Sequence, residues 1–427
     1  MKILIKNATL ISMDDARDKI ENGIDILIED NKIVRIGKKI NSDNIDKYID
    51  ATRMVVLPGF INTHAHAPMS IFRETLDGYN LQDWLNKKIW PMEDKLTNQD
   101  IYYASYLSFL EMIKTGTTTI NDMYFMTEDI IQAMLETGIR LQTSRTLMSL
   151  GNGEERINQF KTLLENYINK DDKLTFNVGI HGLYTSDEQY VDRCVKLAQM
   201  NNLPIHMHFC ENTSEVSDIQ NTYLKTPTQI LKDKFIGTKT ILAHCVKLSV
   251  QDINDIKDMD VSVAHCPISN LKLGCGIANI NEMIKNGINV ALGTDGQGSG
   301  SNLDMFETMK YAALLQKGVQ ENPEILTAYE VLKMATINGA KALGMENAIG
   351  SITEGKLADI IIIDMEDIKL KPINNLISEI VYNVKGNNVT TTIINGQVVM
   401  ENGKLLNVNE SKIYKECEKI IQRISKN

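Results

Sequence analysis

Two histidines one residue apart, in Thr63-His64-Ala65-His66, end the apolar run Met54-Val55-Val56-Leu57-Pro58-Gly59-Phe60-Ile61-Asn62. Side chains of an extended strand repeat every two residues, so both imidazoles point the same way and can close on one metal ion. The chain has only seven histidines, and His208, His244 and His265 also stand at the ends of apolar runs; Asp295 ends a further one, Asn289-Val290-Ala291-Leu292-Gly293-Thr294. Imidazoles and a carboxylate gathered at strand ends form the donor set of a catalytic divalent metal such as Zn²⁺, which takes a few such ligands and keeps a position for water. In Ile205-His206-Met207-His208-Phe209-Cys210-Glu211 two histidines share a face. His208 lies nearer the carboxyl end, with a carboxylate three residues on, and is the expected ligand; His206 is expected one layer deeper as a hydrogen-bonded core residue.

Groups so far apart in sequence need a scaffold that returns to one rim. Apolar or β-branched runs near 55–66, 116–124, 139–146, 174–181, 203–209, 240–245, 261–266 and 289–294 alternate with amphipathic stretches such as Ile101 to Lys114 and Thr127 to Thr137, each stopped by a glycine, Gly116 and Gly138. Eight βα units predict a (β/α)8 TIM-type barrel, whose chemistry sits at the carboxyl ends of the strands. Strand-like alternation also fills both chain ends, from Ile3-Leu4-Ile5 to Lys32-Ile33-Val34-Arg35-Ile36 and again from Ala358-Asp359-Ile360 to Gln397-Val398-Val399. The expected organisation is α/β: a barrel over 58–349, and a small β-sandwich domain with a C-terminal helix from 1–57 plus 350–427.

At 427 residues the chain exceeds one ordinary core. A net charge of −10 without long charged blocks argues against a nucleic-acid surface and for a small-molecule substrate. No stretch approaches a membrane span, and Met1-Lys2-Ile3-Leu4-Ile5-Lys6-Asn7 lacks a signal core, so a cytoplasmic protein is expected. The six cysteines show no CxxC pairing and are expected to be reduced. Strand alternation predicts that Cys245 and Cys266, next to His244 and His265, face away from the barrel centre.

The order of PGF-INTHAH (58–66), HFCENTSE (208–215), AHC (243–245), AHCPISNLKLG (264–274) and GTDG followed by GSGSNLDMFETM (293–309) resembles the amidohydrolase superfamily, and within it the 5′-methylthioadenosine/S-adenosylhomocysteine deaminases. The likeness runs over nearly the whole chain, through the turn Gly355-Lys356-Leu357-Ala358-Asp359. It implies that His64, His66, His208 and Asp295 hold one divalent metal, usually zinc. No lysine occurs on the run 174–181 to bridge a second. It also implies that Glu211 passes a proton to the purine ring, that His244 orients the attacking water, and that Asp295 takes that water's proton. Trp84 and Glu93 match residues lining the nucleoside pocket, the glutamate accepting from the ribose hydroxyls. Arg145 and His181 match residues near the substrate's tail and purine, Arg156 is a further match in the following loop, and Ser299 matches a small polar site residue. His265 is expected to be structural, near the pocket.

The implied activity is hydrolytic deamination of 5′-modified adenosines to the inosine product and ammonia. The competing readings are an aminohydrolase for guanine or a triazine, and a scaffold that has lost its site. Trp84 and Glu93 favour a ribosyl substrate, and retention of every ligand argues against the scaffold. The preferred nucleoside and assembly into a homo-oligomer stay open.

Overall fold

The apolar run 54–66 is two strands rather than one. The computed structural model describes residues 1–75, 77–79 and 81–425, and in it Met54–Pro58 belongs to the small sheet while Phe60–Ala65 opens the barrel. Gly59 marks the crossing: a Cβ there would lie 2.2 Å from side-chain atoms of Thr118, so only glycine lets the chain pass this close to the second barrel strand. A run buried on both sides carries no sign of the place where it changes partners.

From there the eight expected strands follow in parallel order: Phe60–Ala65, Thr117–Tyr124, Arg140–Arg145, a fourth interrupted at Asn177 (Leu174–Phe176 and Val178–Ile180), Ile205–Phe209, Thr240–His244, Val261–His265 and Asn289–Leu292. Backbone pairing continues past the interruption, with Leu147 N–H donating to Gly179 O at 2.7 Å. Between the eighth and first strands the ring closes through Asp295 N–H to His64 O (3.0 Å), Thr63 Oγ1 to Leu292 O (2.8 Å) and a reciprocal pair between Asn62 and Thr294. Closure thus uses the residues that neighbour His64 and Asp295, which ties the site's geometry to completion of the barrel. The helix Asn98–Lys114 begins with a Thr97/Asp100 capping box, and Thr127–Thr137 ends on Gly138 at φ +76°, where glycine is favoured.

Nine strands from both chain ends make one continuous sheet in which Met54–Pro58 joins Lys2–Leu10 on one side and Ile360–Asp364 on the other. Alternate residues of these strands, among them Ile3, Ile5, Ile26, Ile28, Val56, Ile360 and Ile362, bury against one another without a helix, which is the sandwich core. The opposite face, with Val55, Leu57, Ile361 and Ile363, joins the core of the barrel. The helix Glu410–Ile424, which the sequence assigns to the small domain, packs on the barrel helix Asn98–Lys114, where Cys417 Sγ donates to Tyr103 O. Its last turn holds Lys95, just after Glu93: Lys95 Nζ donates to Ile424 O (3.0 Å) and Arg423 Nη1 to Lys95 O (2.9 Å). Among the described residues no helix is long and apolar enough to cross a membrane.

Sheet and barrel are also pinned by a buried ion pair. Arg140 on the third barrel strand meets Asp359 through Nε at 2.8 Å and Nη2 at 3.1 Å, both side chains 3% exposed, and Asp359 also accepts from Asn395 N–H. Removing one partner strands the other charge, which costs about 3–5 kcal/mol. Arg140→Met is therefore expected to lower the thermal unfolding temperature by several degrees, with the active-site groups in place. An unchanged unfolding temperature by calorimetry would show that the pair pins nothing.

Candidate metal centre and active site

Three barrel strands end on a left-handed step that ordinary strand geometry forbids: Cys210 (φ +51°), His244 (φ +74°) with Cys245 (φ +53°), and Asp295 (φ +64°). These steps interrupt period-two alternation at the rim; Cys245 lies in the hydrophobic core and joins neither the metal groups nor the cavity wall. All six cysteines are buried and unpaired, and none joins the groups suited to a metal among the described residues.

Those groups form two overlapping triads, His64–His208–His244 and His64–His66–Asp295, each with donor atoms within 4.8 Å of one another. Asp295 Oδ1 lies 3.5 Å from His64 Nε2 and 3.3 Å from His66 Nε2, and the Nε2 atoms of His66 and His208 are 3.2 Å apart. The far side of every ring is held. His66 Nδ1 meets Met123 O (2.6 Å), His208 Nδ1 meets His181 O (2.6 Å), His244 Nδ1 meets Asn270 Oδ1 (2.9 Å), and His64 Nδ1 meets His206 Nε2 (2.8 Å). Donation from Nδ1 to an oxygen fixes the tautomer and leaves the Nε2 lone pair facing the centre. His64 Nε2 is buried without a hydrogen-bond partner among the described residues. Converging lone pairs with an orphaned imidazole nitrogen and a carboxylate fit a divalent metal ion.

Asp295 is itself aimed by hydrogen bonds from Ser269 Oγ, Ser299 Oγ (2.8 Å) and Gly296 N–H (2.7 Å). Gly293 leaves room beside the cluster, since a Cβ there would sit 2.9 Å from His64 Cβ and 3.0 Å from Cys266 Sγ. His206 takes its predicted place one layer below. His265 is buried and absent from the cavity wall, and burial pushes its ring down to about 3, so it is a neutral core imidazole.

Above the cluster opens a cavity with ≈ 680 Å³ of empty space, counting the part that is open to solvent. His66, His208, His244, Asp295, Glu211, His181 and Ser299 line its floor, and Trp84, Leu85, Ile89, Trp90 and Glu93 one wall. Glu211 Oε2 lies 3.9 Å from His244 Nε2, and burial pushes this carboxyl above its ordinary pKa against the pull of His244. Burial also takes His181 down to about 4, leaving it neutral with Nδ1 on Thr185 Oγ1 (3.1 Å).

Trp84 and Glu93 share that wall because of an irregular turn. Residues nine apart in a regular helix stand about 180° apart. Here Leu81–Trp84 and Trp90–Glu93 flank a π-helical turn, Leu85–Ile89, which absorbs one residue and reduces the separation to about 80°. Glu93 is fixed by the Tyr124 hydroxyl, which donates to its Oε1. Tyr124 follows Met123, whose carbonyl holds His66, so one strand end orients both the lid carboxylate and a ligand.

The two arginines lie elsewhere. Arg145 and Arg156 stack on Phe125 at 5.1 and 5.8 Å from its ring centre, and Arg145 Nε donates to Gln159. Phe125 lines the cavity, and the two arginines that stack on it are not among the lining side chains. Sequence reasoning missed Tyr124, Asn270, Ser269 and Cys275, whose Sγ lies 3.7 Å from Glu211 Oε1. Asn270 and Ser269 stand inside the AHCPISN motif, and that proximity to His265 was their one available signal.

A model of the amidohydrolase family matches residues 55–399. The chain belongs to that family. This amidohydrolase is 41% identical, over 99% of both chains, to the 5-methylthioadenosine/S-adenosylhomocysteine deaminase of Caldanaerobacter subterraneus subsp. tengcongensis. To the 5′-deoxyadenosine deaminase of Methanosarcina acetivorans it is 40% identical, over 97% of this chain and 96% of that one. Among solved structures it superposes on an adenosine deaminase from Xanthomonas campestris with bound zinc at a TM-score of 0.95, with 25% identity over 99% and 98% of the two chains.

Proposed function

We propose that this amidohydrolase hydrolyses the 6-amino group of adenine in 5′-modified adenosines, with 5′-methylthioadenosine, S-adenosylhomocysteine, adenosine and 5′-deoxyadenosine as candidates, releasing ammonia and the inosine product. The observation that carries the reading is one cavity with two chemistries, a His/Asp metal cluster beside the buried acid Glu211 on its floor and the carboxylate of Glu93 on its wall. Relatives named as deaminases of such nucleosides, 40–41% identical over nearly the full length, support it.

His64, His66, His208 and Asp295 would hold one zinc ion. Such an ion, when bound, supplies Lewis-acid polarisation of water, whose pKa falls toward about 7. Attack on C6 pushes electrons onto N1 of the ring, and Glu211, whose carboxyl burial raises above its ordinary pKa, donates the proton needed there. Asp295 accepts the proton that the attacking water gives up, and His244, its Nδ1 committed to Asn270, presents Nε2 to that water. The neutral ring of His181 packs near the purine, and Ser299 keeps Asp295 in register. A cytoplasmic enzyme with a small nucleoside substrate accords with six unpaired, buried thiols.

The test is to incubate zinc-loaded protein with each nucleoside and follow loss of adenine absorbance. Turnover of at least one 5′-modified adenosine is expected; activity on guanine or triazines alone would overturn the assignment. Glu93 offers a sharper check. With Oε1 taken by Tyr124, Oε2 is the oxygen left to accept from a ribose hydroxyl, and a charged hydrogen bond contributes about 1.5–3 kcal/mol. Glu93→Ala is expected to cost roughly tenfold or more in kcat/KM on ribosides and to abolish the preference for intact ribose over 2′- and 3′-deoxy analogues. Persistence of that preference in the variant would remove the ribose assignment.

A further inference from the structure

The helix Thr213–Tyr223 opens in an unusual way for this chain. Its cap is Asn212, whose side chain accepts from Glu215 N–H at 2.9 Å. Four other helices close a reciprocal box at the same point: Asp100, Gln229, Asp252 and Glu330, each at the third helical position, take the N–H of their own cap residue. Glu215 occupies that third position but reaches past its cap. Its Oε1 accepts from Cys210 N–H (2.9 Å) and its Oε2 from Glu211 N–H (2.7 Å).

Helix stability does not explain this, since Asn212 already supplies the cap; of the box residues Gln229 and Glu330 are exposed, Asp252 is half-buried, and the buried Asp100 is spent on its own cap Thr97 and on Arg423. Glu215 is instead 2% exposed. A carboxylate is buried at a cost, and here both oxygens are spent on two consecutive peptide groups at one left-handed step. That step at Cys210 ends the fifth barrel strand and turns Glu211 onto the cavity floor, 3.9 Å from His244. Rotation of the peptide between Cys210 and Glu211 would swing the Glu211 carboxyl, and both N–H groups on which such a rotation turns are held by one side chain.

We infer that Glu215 is a positioning residue, a two-oxygen clamp on the Cys210–Glu211 turn that holds the Glu211 carboxyl at the reacting ring. The inference rests on Glu211 being the proton donor, and it adds that this donor's aim is set from one helical turn further along the chain. Misplacement of a reacting group by an ångström costs on the order of 10²-fold in rate.

The experiment is a double-mutant cycle on the zinc-loaded enzyme with Glu215→Gln, Glu211→Gln and the pair. In Glu215→Gln the new amide keeps one acceptor and turns its own N–H groups toward the other peptide N–H, so half of the clamp is lost without change of volume. Glu215→Gln alone is expected to lower kcat about 10–100-fold with KM and zinc content close to wild type. In the Glu211→Gln background the same change is expected to cost less than about twofold, because nothing remains to be aimed. Equal losses in both backgrounds would make Glu215 a general support of the fold and overturn the inference, as would near wild-type kcat in Glu215→Gln. Near wild-type kcat in Glu211→Gln alone would remove the proton-donor reading and this inference with it. Should Glu215→Gln fail to fold, Glu215→Asp, which keeps the charge but is one methylene short of spanning both N–H groups, is read in the same cycle.

Discussion

Asp295→Ala is expected to lower turnover on the order of 10⁴-fold while the protein stays folded and its zinc content drops well below one equivalent per chain. The size follows from the number of functions that meet in one carboxylate. Asp295 Oδ1 lies within 3.5 Å of both His64 and His66, and Oδ2 is aimed by Ser269 and Ser299. Its loss removes the anionic donor of the cluster and the acceptor for the attacking water's proton together. Elemental analysis and circular dichroism on the purified variant separate metal loss from unfolding. Full zinc occupancy with turnover within tenfold of wild type would mean that the cluster holds its ion, and runs its chemistry, without this residue.

Glu211→Gln is expected to keep the metal and still lose roughly 10²–10⁴-fold in kcat, the usual weight of a general acid. Glutamine matches glutamate in shape, so the contacts to Cys275 and His244 survive while the exchangeable proton does not. The pH profile adds a sign. Burial raises the folded pKa of Glu211, so the acid form persists to higher pH than for a solvated glutamate. Wild-type rate should fall as pH rises through that elevated value, and this alkaline limb should be absent in the variant. A metal-replete variant with near wild-type kcat would assign proton donation to another group.

The barrel and its rim were legible because parallel strands buried on both faces read as continuous apolar runs, and because His64, His66, His208, His244 and Asp295 all stand where such runs stop. That same continuity concealed the crossing at Gly59, where the partner changes and the hydropathy does not. Strand alternation placed His206 beneath His208 correctly, while at the rim itself His244 and Cys245 both take left-handed conformations that alternation does not describe. The lid was beyond periodicity. Nine residues of regular helix would put Trp84 and Glu93 on opposite sides, and only the resemblance joined them; the π-helical turn is the physical reason they meet. The arginines came from resemblance alone: both stack on Phe125, a residue of the cavity wall, and neither is among the side chains that line the cavity itself. Tyr124 and Asn270 act through contacts spanning 31 and 26 residues, which periodicity does not announce, and Glu215 through contacts four and five residues back that break the usual capping pattern.

The pairing of Met54–Pro58 with Ile360–Asp364 has a consequence during synthesis. A ribosome adds about 5–20 residues each second, so the edge of Met54–Pro58 waits on the order of 15–60 s for the strand that covers it. Throughout that interval Val55, Val56 and Leu57 sit on a bare, apolar strand edge, a template for pairing with other nascent chains. Asp359, the partner of Arg140, arrives equally late. Fragments ending before residue 359 are expected to aggregate even when every barrel strand is present, and yield of the intact chain should rise when translation is slowed or chaperones are supplied to shield that edge.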